Sequence, residues 1–202
     1  MSPKIIDREN KRMKILLAAM KVFARQGVSN TKMAEIAMEA GIGKGTIYEY
    51  YRNKDEIFYE SFRHFMEQTD SIVADRLNNI EDPVKKLEAW IDGWLEAIVS
   101  SIDFVAIMMD YWAEGIRFRS EASLINLEEM YDTYRQTIRQ MLDEGIAKGK
   151  FRQVDTTLAA SILIGTLDGL ALQFIMNRNL FESGKITGIL KDTFIQGLIS
   201  NE

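Results

Sequence analysis

The segment "GIGKGTIYEYYRNK", residues 41–54, places three basic residues, three tyrosines and three glycines within fourteen positions. The protein as a whole is acidic, with a formal net charge of −5. That charge is unevenly divided, because residues 1–54 carry a net +6 whereas residues 55–202 carry a net −11. A basic N-terminal part on an acidic protein predicts that residues 1–54, and not the remainder, bind a polyanionic partner.

The composition narrows the possible functions. The 202 residues are 47% apolar, which is enough for a buried core. They include no cysteine, which excludes disulfides, thiolate metal sites and cysteine nucleophiles and fits a reducing cytoplasm. The first ten residues are polar and do not read as a signal peptide. Residues 158–176 are apolar enough to raise the question of a membrane span, but Asp168 near the middle favours a buried helix, so we expect no membrane partner.

Helical periodicity runs through almost the whole chain, and only two prolines interrupt it. It predicts an all-α fold of about nine helices joined by short loops. Asn30 or Thr31 is expected to cap the second helix, and Asn53 with Glu56 the fourth. Further helices are expected to begin at Asp82-Pro83, about Asp103, Ser120, Asp155 and about Lys185.

The segment around residue 41 has the spacing of a helix-turn-helix. Ala37 is small enough for two helices to cross closely, and Gly41 tolerates the positive φ that a tight turn needs. Ile36, Ile42, Ile47 and one face of Tyr50 would fill the wedge between the helices. In such a motif the second helix enters the major groove of DNA with its N-terminal residues toward the bases.

The residues around this motif suit contact with DNA. Lys44 can reach a guanine edge or a phosphate, and the flanking glycines let the backbone approach closely. The alternative is that these residues only solvate and cap short helices; the charge division favours DNA. The predicted DNA-binding residues are Thr31, Lys32, Gly43, Lys44, Gly45, Thr46, Tyr48, Tyr50 and Lys54.

The last two helices carry apolar residues on more than one face, which predicts a second packing partner in the form of a symmetric four-helix seam between two copies. The alternative is burial inside one monomer. The predicted dimer interface comprises Leu158, Ile162, Gly165, Gly169, Phe174, Ile189, Phe194 and Leu198.

Bulky residues in the middle helices admit two interpretations. Spacing alone favours an ordinary core, and a ligand-cavity wall is the alternative. The candidate ligand-binding residues are Trp90, Trp94, Phe104, Met108, Trp112, Tyr131 and Phe174. Asp110, Glu114 and Asp168 could face a cationic ligand, but we expect them to be exposed or salt-bridged.

The sequence offers no defensible catalytic or metal-binding set. His64 is the single histidine, and we expect it on a helix surface. No serine, lysine or carboxylate pair has a catalytic setting. We therefore predict a protein that is not an enzyme and that needs no cofactor or metal.

Residues 15–58, "ILLAAMKVFARQGVSNTKMAEIAMEAGIGKGTIYEYYRNKDEIF", resemble the DNA-binding domain of TetR-family transcriptional repressors. The resemblance rests on Phe23, Gly27, Thr31, Ile36-Ala37, Ala40-Gly41-Ile42, the run from Lys44 to Tyr48, Tyr51, Asn53-Lys54 and Ile57. Two positions depart from the family pattern. Gly43 stands where serine is frequent, and Glu49 would repel phosphate unless it faces cytosine N4 or solvent.

The resemblance implies a helix-turn-helix domain at residues 1–53 and a helical effector-binding and dimerisation domain at 54–202. It also implies a cytoplasmic homodimer that represses from a palindromic operator and is released by a small, largely apolar molecule. It also favours the interpretation that some of the bulky residues in the middle helices line a ligand cavity. Two alternatives stay open: a DNA-bound adaptor that recruits a protein without a ligand, and a helical carrier or enzyme.

Overall fold

The computed structural model describes residues 3–117, 126–177, 179 and 185–200, with only the backbone described at 3–6, 102–106, 114, 115 and 117. This described part contains nine helices, and the all-α prediction is confirmed. The helices are α1 (Pro3–Gln26), α2 (Met33–Glu39), α3 (Lys44–Ile47), α4 (Lys54–Leu77), α5 (Pro83–Ser100), α6 (Ile102–Arg117), α7 (Leu127–Ala147), α8 (Thr156–Met176) and α9 (Lys185–Gln196).

The chain divides into two compact units. The head unit comprises Met1–Glu67 and Ile102–Ile125, and the body unit comprises Gln68–Ser101 and Asn126–Glu202. Helix α4 contributes to both units, since the division follows Glu67. The predicted boundary after residue 53 instead coincides with the start of α4 at Lys54.

The core of the head unit lies where α1 packs against α2 and α6. Ile15, Phe23, Ile36 and Phe58 are buried there. The ring of Tyr111 on α6 stacks on that of Phe58 on α4, with centroids 4.1 Å apart. Apolar burial of this size, at ~1.5–3 kcal/mol per large side chain, is the main force that holds such short helices together.

The turn between α2 and α3 forms as the sequence predicts. Gly41 has a φ of +64°, and its N–H donates to the Met38 carbonyl at 3.0 Å. The N–H of Ile42 donates to the Ala37 carbonyl at 3.0 Å. This pair of hydrogen bonds is the Schellman ending of a helix, and a left-handed residue at its centre is least strained as glycine.

Two helix starts differ in detail from the sequence prediction. The N-cap of α2 is Lys32 rather than Asn30 or Thr31, because the Glu35 carboxylate accepts the Lys32 N–H at 2.8 Å. At α4, Asn53 Oδ1 accepts the Glu56 N–H at 2.8 Å as predicted. The Glu56 carboxylate, however, accepts from Arg52 N–H at 2.7 Å.

The body unit is built from the end of α4 together with α5, α7, α8 and α9. Its core is apolar and centres on Leu87, Ile91, Leu142, Ala160 and Leu163. Asp82 caps α5 and Asp155 caps α8 through backbone N–H groups, as predicted. Helix α7 begins at Leu127 with Asn126 as its cap, and Ser120, the predicted start, lies outside the described residues.

The ring of Phe151 packs directly on the backbone of α7 near the end of that helix. A Cβ atom on Gly145 would lie 2.0 Å from Cδ2 of Phe151, whose ring is buried. Gly149, with a φ of +66°, then reverses the chain. Phe151 forms an isolated antiparallel bridge with Ile199, which ties the α7–α8 connection to the end of α9. Glycine at 145 is therefore required by packing.

Helix α8 has the length and composition of a membrane span. In this structure it packs against α7 and buries seven of its residues, including Ala160, Leu163 and Leu167. Asp168 lies within it, half-buried. These features are those of a core helix in the body unit.

Candidate functional site

The candidate DNA-binding site is the short helix α3 together with the turn that follows it, residues 44–51, which we call the α3 segment. Ile47 and Tyr51 are almost fully buried and fasten this segment to the head unit. Lys44, Gly45 and Tyr48 are exposed, and 52% of Tyr48 remains open to solvent. The segment thus presents a cation, a bare backbone and an aromatic hydroxyl outward from a rigid support.

The support of this segment is polar as well as apolar. The Tyr51 hydroxyl donates to Glu60 Oε1 at 3.0 Å, and Arg12 Nε donates to the same atom at 3.0 Å. The Arg12 guanidinium also lies 4.9 Å from the centre of the Tyr51 ring. Burial favours the neutral carboxyl of Glu60, but the hydrogen bonds from Arg12 and Tyr51 outweigh it and lower its pKa.

Sequence reasoning missed the Arg12–Glu60 pair. Its partners lie 48 residues apart on α1 and α4, and periodicity does not show that two distant charges meet. The available signal was Tyr51, a family signature residue whose buried hydroxyl needs a hydrogen-bond partner. The cluster joins α1, the end of the α3 segment and α4 within the head unit.

Most of the predicted DNA-binding residues lie on the surface. Lys32, Gly43, Lys44, Gly45 and Tyr48 are exposed, and Thr46 and Tyr50 are half-buried. Gly43 caps α3 without a side chain. A Cβ atom at Gly45 would meet nothing within 4 Å, so this glycine is not required by packing in the protein.

Thr31 and Lys54, both predicted to contact DNA, donate hydrogen bonds to backbone carbonyls within the head unit. Thr31 is buried, and its hydroxyl donates to the Gly27 carbonyl at 2.8 Å. Lys54 Nζ donates to the carbonyls of Val28 and Ser29, both at 2.8 Å. Both side chains therefore hold the α1–α2 turn, because carbonyl oxygens of that turn need donors when the helix ends.

Helix α6 contacts the same turn. The Asp110 carboxylate accepts the Val28 N–H at 3.4 Å, within the head unit. Asp110 is exposed, as expected. The side chain of Glu114 lies outside the described residues.

The candidate ligand-binding residues are divided between the two units. Trp90, Trp94 and Tyr131 belong to or pack on the body core, and Phe174 is buried in the same unit. Met108 and Trp112 belong to the head unit, where Met108 is buried. The side chain of Phe104 lies outside the described residues.

Asp168 has an unusual setting for a carboxylate. Its Oδ2 accepts a hydrogen bond from the Tyr131 hydroxyl at 2.9 Å. Burial raises the pKa of Asp168 to about 6, and the Tyr131 hydrogen bond only partly offsets this. The sequence led us to expect an exposed or salt-bridged group, whereas the structure gives a half-buried one bonded to a neutral hydroxyl.

The predicted dimer residues fall into two sets. Leu158, Ile162 and Ile189 are 61%, 63% and 64% exposed, and Gly165 is exposed beside them on α8. Gly169 and Phe194 are half-buried. Phe174 and Leu198 differ from the prediction, because both are buried in the subunit's own core and offer little surface to a second copy.

Two family profiles match this sequence. "Bacterial regulatory proteins, tetR family" matches residues 15–60, which include α2, α3 and the Tyr51 support. "BetI-type transcriptional repressor, C-terminal" matches residues 83–198, more than half of the chain. The chain belongs to the TetR family. It is a DNA-binding transcriptional regulator whose C-terminal region matches a repressor profile, and the resemblance seen in the sequence is confirmed.

Relatives of this TetR-family regulator extend along its whole length. The fatty acid metabolism regulator protein of Bacillus subtilis strain 168 is 23% identical over 194 residues, which are 95% of this chain and 97% of the relative. A Saccharomonospora viridis regulator solved in complex with choline superposes with a TM-score of 0.81, at 22% identity over 96% of this chain and all of the other.

A second solved structure has the same fold. The FadR regulator of Bacillus subtilis in complex with stearoyl-CoA superposes with a TM-score of 0.72, at 22% identity over 92% of this chain and 98% of the other. The ligands in these two complexes differ in chemistry, since choline is a small cation and stearoyl-CoA is a long acyl thioester. Fold similarity alone therefore does not select the effector of this regulator.

Proposed function

We propose that this regulator represses transcription as a homodimer bound to a palindromic operator and leaves it when a small, largely apolar molecule binds the body unit. The proposal that the protein binds DNA is supported chiefly by the α3 segment. Its residues Lys44, Gly45 and Tyr48 are exposed, whereas Ile47 and Tyr51 are buried in the head unit. A rigid basic helix end of this kind suits the major groove. We propose that residues 1–53 form the DNA-binding domain and that residues 54–202 bind the effector and form the dimer contacts.

The dimer proposal is supported by exposed apolar side chains on α8 and on α9. Leu158, Ile162 and Ile189 form apolar surface that a monomer leaves in water, and Gly165 permits close approach of a partner helix. Paired heads would read two half-sites about 34–36 Å apart or a multiple of this. A twofold operator then matches a twofold protein.

The effector proposal is supported by aromatic side chains in the body unit. Trp94 and Tyr131 are half-buried against its core, a position that suits a cavity wall. A Bacillus subtilis relative is named for fatty acid metabolism, and a Bacillus subtilis structure with the same fold holds stearoyl-CoA. An acyl chain is therefore the first effector class to test, and a small cation such as choline is the second.

Helix α4 is the proposed connection between effector and DNA. It runs without a break from Lys54 to Leu77 and supplies residues to both units. A ligand that favours another position of α4 changes the spacing of the two heads. A coupling of about 1–3 kcal/mol would weaken operator binding by roughly 5–150-fold.

The test is fluorescence anisotropy of a labelled operator duplex taken from a selected pool. We expect wild-type protein to bind the duplex and stearoyl-CoA to release it, while coenzyme A alone has no effect. Release by choline alone would contradict the apolar class. Binding that no acyl or cationic probe alters would contradict the inducer step, and absence of binding would contradict the function itself. We also propose a cytoplasmic location, because a repressor acts where its operator DNA lies.

A further inference from the structure

Glu49 lies on the outward side of the α3 segment. The Glu49 N–H donates to the Thr46 carbonyl at 3.1 Å and the Tyr51 N–H to the Ile47 carbonyl at 3.0 Å, so the chain stays helically wound beyond α3. Ile47 and Tyr51, four residues apart, share the buried face. Glu49 stands midway between them in the sequence and therefore points away from the core. It is exposed.

The charge of Lys11 acts on this carboxylate, but no ion pair between described residues neutralises it. Gly45 lies one turn earlier on the same outward face and carries no side chain. Among the ion pairs between described residues, none involves Glu49; the nearby Lys11 pairs instead with Asp7 at 2.9 Å. Glu49 is also the single acidic residue between positions 41 and 54.

A carboxylate at the centre of a DNA-facing surface weakens binding to every phosphate nearby. Only a hydrogen-bond donor on a base edge offsets that cost. In the major groove cytosine presents its N4 amino group, whereas guanine presents two acceptors and thymine an acceptor and a methyl group. Adenine presents a donor beside an acceptor, which suits an amide better than a carboxylate.

We propose that Glu49 determines operator specificity by accepting a hydrogen bond from the N4 amino group of a cytosine in each half-site. The proposal rests on the proposed function, in which the α3 segment enters the major groove. Lys44 on the same segment supplies the cation that a neighbouring guanine or phosphate needs. A carboxylate and an ammonium would thus read different groups of one half-site.

The test is selection from a duplex pool randomised across the half-site, with wild type, Glu49→Gln and Glu49→Ala. We expect wild type to enrich cytosine at one position in each half-site. Both variants should lose about 5- to 150-fold of that preference while they keep the preferences at other positions. Because the side chain is exposed, thermal unfolding should be unchanged in both variants.

Asp55→Asn is the matched control. Asp55 is an exposed carboxylate six residues further on, so its removal changes the charge near DNA without altering the outward face of the α3 segment. We expect this variant to keep the cytosine preference. If Glu49→Gln binds all duplexes more tightly and keeps every base preference, Glu49 only repels phosphate and the proposal is wrong. If the wild-type protein enriches no duplex, the result contradicts the proposed function and therefore also the role assigned to Glu49.

Discussion

Replacement of Ile162 by alanine tests the proposed dimer face. The change removes about three methylene-sized groups, each worth ~0.8 kcal/mol when buried. Because 63% of Ile162 is exposed in the subunit, burial of these groups against a partner helix would stabilise the dimer by about 1.5 kcal/mol per subunit. A twofold interface contains the residue twice, so the loss is about 3 kcal/mol per dimer. That loss corresponds to a dimer dissociation constant raised on the order of 150-fold.

The assay is sedimentation equilibrium over a wide concentration range, with circular dichroism as a check of folding. Alanine has the higher helix propensity, so the subunit should remain helical. Val99→Ala is the matched control, because Val99 is 46% exposed near the end of α5 and outside the α8–α9 face. Equal dissociation constants for wild type and Ile162→Ala would refute the assignment of this face.

Four further substitutions test the energetics of the two units and the role of Lys44 in base preference. Gly145→Ala forces a methyl group against the buried ring of Phe151 and should lower the free energy of unfolding by about 1–3 kcal/mol; an unchanged urea midpoint would contradict this. The folded-state pKa of Asp168, about 6, exceeds the unfolded value near 3.9, so stability falls as pH rises from about 4 to 6. Asp168→Asn should therefore match wild type at pH 4 and exceed it by up to about 3 kcal/mol at pH 8, and a pH-independent difference would contradict the assignment. Lys54→Ala removes two hydrogen bonds from the α1–α2 turn and should cost about 1–3 kcal/mol of stability, whereas Lys44→Ala should leave urea unfolding unchanged and alter base preference.

The sequence predicted those features that depend on one residue and its neighbours. Gly41 specified the turn because few other residues tolerate its φ of +64°. Asp82 and Asp155 specified helix starts because a short carboxylate reaches N–H groups two and three residues on. Lys32 was missed as a cap because the stabilising group is Glu35, which reaches back to its N–H.

The sequence could not predict contacts between distant residues. From the sequence alone, the Thr31 hydroxyl and the Lys54 ammonium are both suitable donors to phosphate. In the folded protein both donate to backbone carbonyls of the α1–α2 turn. The spacing of Met108 and Trp112 indicates a helix face without indicating that this face belongs to the head unit. Likewise, the apolar pattern of residues 185–199 does not separate buried Leu198 from exposed Ile189.

The central claim is that the basic N-terminal segment binds duplex DNA through its phosphates and grooves. The direct measurement is the affinity of the purified protein for a selected duplex between 50 and 200 mM salt. If two heads together make about 6–10 phosphate contacts, affinity should fall by roughly 10³–10⁵-fold across this range. Affinity that is independent of salt, or absence of binding even at the lowest salt, would contradict the claim.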